Sequence, residues 1–398
     1  INSKLQKDYQ TLVEYIIKND SSFYRIGDQT AAPEALNKIH DMKEYKSSIY
    51  SSTQNNNYQK WIKNNQKNNQ AYRNNMMVTL AGNILSEGMM GEKYVISPKN
   101  LEGGYKLIKK SHNLKLYENE FALPIIYATE NELTKESYKA LIYPMTVISS
   151  FANGKKEDEK ELEPINFEVI DSKNITIEKS QSVNIKAKED NYIILDSKTD
   201  LKEKVVFVTF KNNFNKKCNG KKEDQVIDIN NISNKLTCKG WKYHNKNKTF
   251  HYVIVSPDKL KVTLSKGNYD LENITAYAIP KSKFLDAKAE VTPFKLDTKK
   301  TKGDKIIGTI NVLKDENMVL ALPYDKGFKV KVDGQEVKYK ESIQNGITFP
   351  IEKGNHNIEI VYEAPYKDLG SLLSVIGLIT FIIYSLYMSR KTKKSNQD

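Results

Sequence analysis

The residues able to do chemistry in this chain are few and scattered. Five histidines (His40, His112, His244, His251, His356) fall in separate segments, and a lone histidine on a strand is ordinarily a packed or surface residue. The two cysteines, Cys218 and Cys238, form no CxxC pair. With His244 and His251 they match no standard zinc spacing, which leaves a hairpin disulfide or two free thiols. The acidic run Glu157-Asp158-Glu159 is solvated, and a catalytic carboxylate needs a pocket that shifts its pKa. There is no HExxH, GxSxG, Walker loop or post-strand GxGxxG. No catalytic residue, metal site or cofactor motif is therefore assigned within the chain.

Binding candidates remain. Arg25 is one of only three arginines and lies between Tyr24 and Ile26 on an expected strand, where it either pairs with a buried carboxylate or reaches a phosphate. Tyr50-Ser51-Ser52 offers an aromatic face and hydroxyls, the groups a sugar needs. Tyr324-Asp325, between Pro323 and Gly327, forms an inter-strand loop that either sets geometry or lines a ligand. Tyr117 and Asn119 stand at a strand end.

The elements that must position these groups divide the 398 residues into segments. Residues 1–153 mix signals. Leu12, Val13 and Ile16 have helical spacing, as do Met77, Leu80, Ile84 and Leu85 within Met76–Met90. Phe23–Ile26, Lys93–Ile96, Tyr105–Ile108, Leu114–Tyr117 and Ile125–Ala128 read as strands. Asn55–Asn69 reads as a loop or short surface helix, and Ser137–Phe151 as a helix disturbed by Pro144. The charge run Lys155–Glu163 marks a linker. Residues 154–300 alternate like a β-sandwich, and 301–368 form a second β block packed on the first, with Asp333-Gly334 as a two-residue hairpin turn. The expected class is α+β: a mixed N-terminal domain, β-sandwich regions and one C-terminal transmembrane helix.

That helix is Leu369–Met388, twenty residues without a charge. At 1.5 Å per residue it spans about 30 Å, the thickness of a bilayer core. Arg390, Lys391, Lys393 and Lys394 follow it and mark residues 389–398 as the cytoplasmic tail, which places 1–368 outside. These cations and Asp398 give the tail a net +3, leaving about +10 of the chain's +13 on the outer part. That surface attracts anionic wall polymer or glycan without specificity. The basic residues are almost all lysines beside 39 asparagines, a coding bias, and the dearth of arginine forks argues against a nucleic-acid partner. The start at Ile1, with no apolar leader in Ile1–Asp20, suggests a piece of a longer protein.

Several segments resemble the YfhO family of bacterial multi-pass membrane proteins. Leu322-Pro323-Tyr324-Asp325-Lys326-Gly327-Phe328, Val332-Asp333-Gly334 and Lys353-Gly354-Asn355-His356 are similar to its C-terminal pattern, with Phe328 where the family often has Trp. Phe23-Tyr24-Arg25, Tyr50-Ser51-Ser52, Gly91–Ile96 (Glu92 replacing an apolar residue) and Leu116–Asn119 with Leu123-Pro124 resemble its N-terminal motifs in the same order. The resemblance implies the outer region and last helix of a GT-C-type glycosyltransferase. Such an enzyme moves a sugar from an undecaprenyl-phosphate carrier to lipoteichoic acid or a related polymer. The partners it implies are membrane lipid, the polymer, and N-terminal membrane helices of the same protein that carry the catalytic loop. A membrane-anchored glycan-binding ectodomain without catalysis is the alternative.

Overall fold

The computed structural model describes residues 3–30, 44–46, 49–50, 55–62, 76–77, 82–132, 141, 143–154, 160, 162–179, 182–213, 224–241 and 244–395. Helix α1 (Ser3–Asn19) buries Tyr9, Leu12, Val13 and Ile16, one stripe at helical spacing. The stripe lies on Ile26, Ile96, Leu114 and Leu116 of a four-stranded sheet. That sheet runs in the order Arg25–Asp28, Glu92–Ser97, Leu114–Asn119, Tyr105–Ser111; the first pair is parallel, the others antiparallel.

Among the described residues three short helices follow: α2 (Asn56–Lys60), α3 (Ile84–Met89) and α4 (Met145–Ser150). The expected helix over Met76–Met90 is found only at its C-terminal end. Met76–Met77 instead pairs with Ile49–Tyr50 as strand. Gly82 turns the chain at φ +87°, and the Asn83 side chain caps the Ser86 N–H (3.2 Å), so α3 starts at Ile84. The helix within the expected Ser137–Phe151 likewise begins at Met145, past Pro144.

The largest sheet has nine strands, with a path from Ile232–Leu236 through Gln225–Ile229, Leu260–Leu264, Val183–Asp196, Gly267–Pro280 and Lys204–Asn212 to Thr249–Val255. It curls until its ends meet: the Asn234 amide donates to the His251 carbonyl (2.9 Å) and the Tyr252 hydroxyl to the Ile227 carbonyl (2.8 Å). Alternation divides each strand between two cores. Val206, Val208 and Phe210 point into the curl with Phe250 and Tyr252. Val205 and Phe207 point out, against α3, α4 and Phe284 of α5 (Ser282–Ala289).

Two five-stranded sheets form a sandwich. One runs Thr292–Pro293, Ile126–Thr129, Glu316–Leu320, Ile347–Ile351, Lys340–Glu341; the other runs Lys295–Leu296, Lys305–Val312, Gly354–Tyr362, Phe328–Val332, Gln335–Glu336. Met318, Leu320 and Phe349 of the first face Ile310, Val330, Ile358 and Ile360 of the second. Asp333 (φ +51°) and Gly334 (φ +83°) make the anticipated hairpin turn, pairing Val332 with Gln335. The chain leaves this sheet at Tyr362 and enters α6 (Lys367–Ser395). Its segment Lys367–Arg390 has a mean hydropathy of 2.2, and none of it is buried against the rest of the protein. The class is α+β with one exposed apolar helix at the C-terminus, as the sequence indicated.

Candidate functional site

Arg25 opens its strand beside Glu92 in the parallel pair. Its backbone N–H donates to Gly91 O (2.7 Å), and its guanidinium donates to Met90 O. Arg25 and Glu92 are both buried. Burial pulls the Arg25 pKa down, while the phenol of Tyr58 and the charge of Glu92 oppose that pull. The Glu92 carboxylate passes over Gly27, where a Cβ would come within 2.7 Å of Oε2. A side chain at residue 27 therefore competes for the space this carboxylate occupies.

Tyr58 belongs to α2, which the sequence suggested as a surface element. It is instead embedded, with Tyr58, Trp61 and Ile62 buried against Met90. The Asn55 carbonyl oxygen of the side chain caps α2 at the Tyr58 N–H (3.0 Å), and its amide donates to Tyr324 O (3.0 Å). On the far side Tyr324 N–H donates to Asn345 O (2.8 Å). With its amide oriented to satisfy both neighbours, Asn345 donates to Asn57 O (3.1 Å) and accepts from Tyr58 N–H (3.2 Å). Helix α2 thus joins Arg25 on the N-terminal sheet to the Tyr324-Asp325 loop on the C-terminal sandwich.

That loop stands at the head of α6. Asp325 Oδ1 accepts from Gly327 N–H (2.8 Å), and Gly327 O accepts from Glu363 N–H (2.8 Å), four residues before the helix. The Tyr339 hydroxyl reaches the carbonyls of Asp325 and Phe328 (2.9 Å each). The Tyr324 and Tyr339 rings meet edge to face at 6.0 Å, and Phe328 lies 4.9 Å from Tyr362. Burial, and then the Asp325 carboxylate its hydroxyl faces, push the Tyr362 phenol up. Aromatic faces beside a carboxylate suit a polyol.

Tyr50 pairs with Met76 five residues before Asn55, while Ser51 and Ser52 lie outside the described residues. Tyr117 and Asn119 sit elsewhere, buried on the N-terminal sheet. The Tyr117 hydroxyl donates to Lys99 O (3.3 Å), and the Asn119 amide joins Ile84 O (3.0 Å) to the Phe121 N–H (2.9 Å), so Asn119 fixes the start of α3. Among the described residues no three His, Cys, Asp or Glu side chains gather as a metal site. Cys238 is disulfide-bonded.

Sequence reasoning missed Glu87. It is 0% exposed in α3, accepts from Gly82 N–H (3.2 Å) and from the Tyr105 hydroxyl, and burial pushes its pKa up to about 7. Nothing in its local pattern distinguishes it from a surface glutamate. Glu92 stood out in the sequence only as a charge at an apolar position of the family pattern; its burial beside Arg25 required the fold.

A family model described as "Bacterial membrane protein YfhO" matches residues 2–374. The chain belongs to this YfhO family. It is 21% identical over 305 residues to the uncharacterized protein YfhO of Bacillus subtilis (strain 168), a match covering 73% of this chain and 35% of that one. The chain therefore spans about a third of the length of the curated relative it matches. YfhO membership and the exposed apolar α6 together make this a membrane-associated protein.

Proposed function

We propose that this chain is the extracytoplasmic region and last membrane helix of a YfhO-family glycosyltransferase. It transfers a sugar from an undecaprenyl-phosphate carrier to lipoteichoic acid or a related wall polymer. The observation that carries the reading is the aromatic and carboxylate loop Tyr324–Gly327, hydrogen-bonded through Gly327 O to Glu363, the first of the four residues that lead into α6. A lipid-linked donor and a lipid-anchored acceptor both present their reacting groups at that level. Arg390 and the lysines after it favour the tail inside and the sheets outside, and an oxidised Cys238 suits the outer compartment.

In this scheme Tyr324 and Asp325 bind acceptor hydroxyls, while α2 and Arg25 hold the loop at its height over the membrane. The catalytic carboxylate comes from membrane-helix loops of the whole protein. The test is transfer of labelled sugar from undecaprenyl-phosphate-sugar to purified lipoteichoic acid by membranes carrying the whole protein. Incorporation should fall several-fold with Asp325→Asn at equal protein level. Absence of transfer to any anionic wall polymer, with retained polymer binding, would favour a binding ectodomain instead.

A further inference from the structure

The C-terminal sandwich has one end fixed to the membrane. Strand Gly354–Tyr362 runs toward α6, and its neighbours reach the same end: Lys305 opposite Val361 and Phe328 opposite Tyr362. Only Glu363–Tyr366 separate the sheet from α6, at most about 14 Å of extended chain. These four residues are also tied down. Glu363 N–H donates to Gly327 O (2.8 Å), Glu363 pairs with Lys329 (2.6 Å), and Lys367 N–H donates to Ala364 O (3.1 Å). The turn Asp297–Lys305 and the loop Leu322–Gly327 are therefore held at the membrane boundary wherever α6 enters it. Tyr362 N–H to Asp304 O (2.9 Å) fixes the turn to the exit strand.

The chemistry of this end is directional. Its acidic groups are largely engaged within the protein. Asp297 accepts from the N–H groups of Lys299 and Lys300 (3.1 Å each), Asp325 accepts from Gly327, and Glu359 and Glu363 pair with Lys305 and Lys329. Lys299, Lys302 and Lys326 are exposed and make no ion pair among the described residues; Asp304 and Asp368 are the exposed acids beside them. Tyr366 is 83% exposed at the step into α6, the height at which interfacial aromatic residues sit. The opposite end of the sandwich differs: Leu313, 73% exposed, tips the hairpin about 27 Å along the strand from Lys305.

We infer that the turn Asp297–Lys305 and the loop Leu322–Gly327 rest on the lipid headgroups where α6 enters the bilayer, with Lys299, Lys302 and Lys326 against phosphates of anionic lipid. This deepens the proposed function, because it fixes the Tyr324-Asp325 loop at headgroup height. It rests on α6 crossing the membrane, and the experiment tests that separately.

The whole chain is placed in nanodiscs of phosphatidylglycerol and phosphatidylcholine, with a fluorophore on Thr298→Cys, Lys326→Cys, Leu313→Cys or Ser374→Cys. Quenching is read with nitroxides on lipid headgroups and on acyl chains. Acyl-chain quenching at Ser374→Cys establishes the span; its absence overturns the basis of the inference. Headgroup quenching at positions 298 and 326 should exceed that at 313 by at least about twofold. It should also decrease when phosphatidylglycerol is omitted or when Lys299 and Lys302 are changed to Glu, as expected for attraction within a Debye length. Equal quenching at 298 and 313 with position 374 in the acyl region overturns the face assignment. Quenching at 298 indifferent to lipid charge and to the Glu substitutions overturns the phosphate contact.

Discussion

Replacing Glu87 by Gln tests the packing logic at the hub of α3. The carboxyl is fully buried, with the Gly82 N–H on one oxygen and the Tyr105 hydroxyl on the other, and Glu92 lies near enough to act on that same tyrosine. Its pKa rises from 4.5 to about 7 on folding because burial penalises the anion more than two hydrogen bonds favour it. The sign follows directly. A carboxyl whose pKa is raised by folding supports the fold fully below 4.5, and that support is lost as pH rises toward 7. Above that point the accumulated cost is about 3 kcal/mol. Gln cannot ionise, but it turns its amide N–H groups toward one of the two donors, which costs about 1 kcal/mol. The variant should therefore match the parent near pH 5 and exceed it by about 2 kcal/mol near pH 8. Urea unfolding in detergent reads this through Trp61, which packs on Met90 next to α3, in a Trp241→Phe background. Equal destabilisation at both pH values would refute the reasoning, since it would mean that Glu87 stays ionised throughout.

Three further outcomes are expected. Gly27→Ala should lower stability by about 1–3 kcal/mol, because its methyl meets Glu92 Oε2 at 2.7 Å; thermal unfolding measures it. Asn55→Ala should cost about 1 kcal/mol through the lost α2 cap, and proteolysis should then cut more readily near residue 324, since the Tyr324 carbonyl loses its donor. Cys238→Ser should cost about 2–4 kcal/mol, and the parent chain should take up alkylating reagent only after reduction, as seen by mass.

What the sequence disclosed here was whatever depends on near neighbours. Twenty uncharged residues before four cations announce α6, and a near-continuous apolar run announces strands such as Val205–Phe210 because each face meets a different core. The Asp-Gly turn was legible because few residues tolerate two successive positive φ angles. Long-range pairing was not. Ile126–Thr129 lies between Thr292–Pro293 and Glu316–Leu320, a partnership no local pattern encodes. The same holds for α2: its Asn-rich surroundings look solvated, yet Tyr58, Trp61 and Ile62 are buried in a cluster with Met90. Of the candidate site, Arg25 and Tyr324-Asp325 were visible as unusual residues. The helix that joins them, and the buried Glu92 and Glu87, required the fold.

The central claim is that this chain serves sugar transfer to an anionic wall polymer at the outer membrane face. The most direct measurement is the ratio of sugar to phosphate in lipoteichoic acid and related polymers from cells lacking the gene, with and without a restored copy. The account predicts that the ratio falls on deletion, returns with the wild-type copy, and does not return with Asp325→Asn expressed at the same level. An unchanged ratio in every polymer after deletion would contradict it.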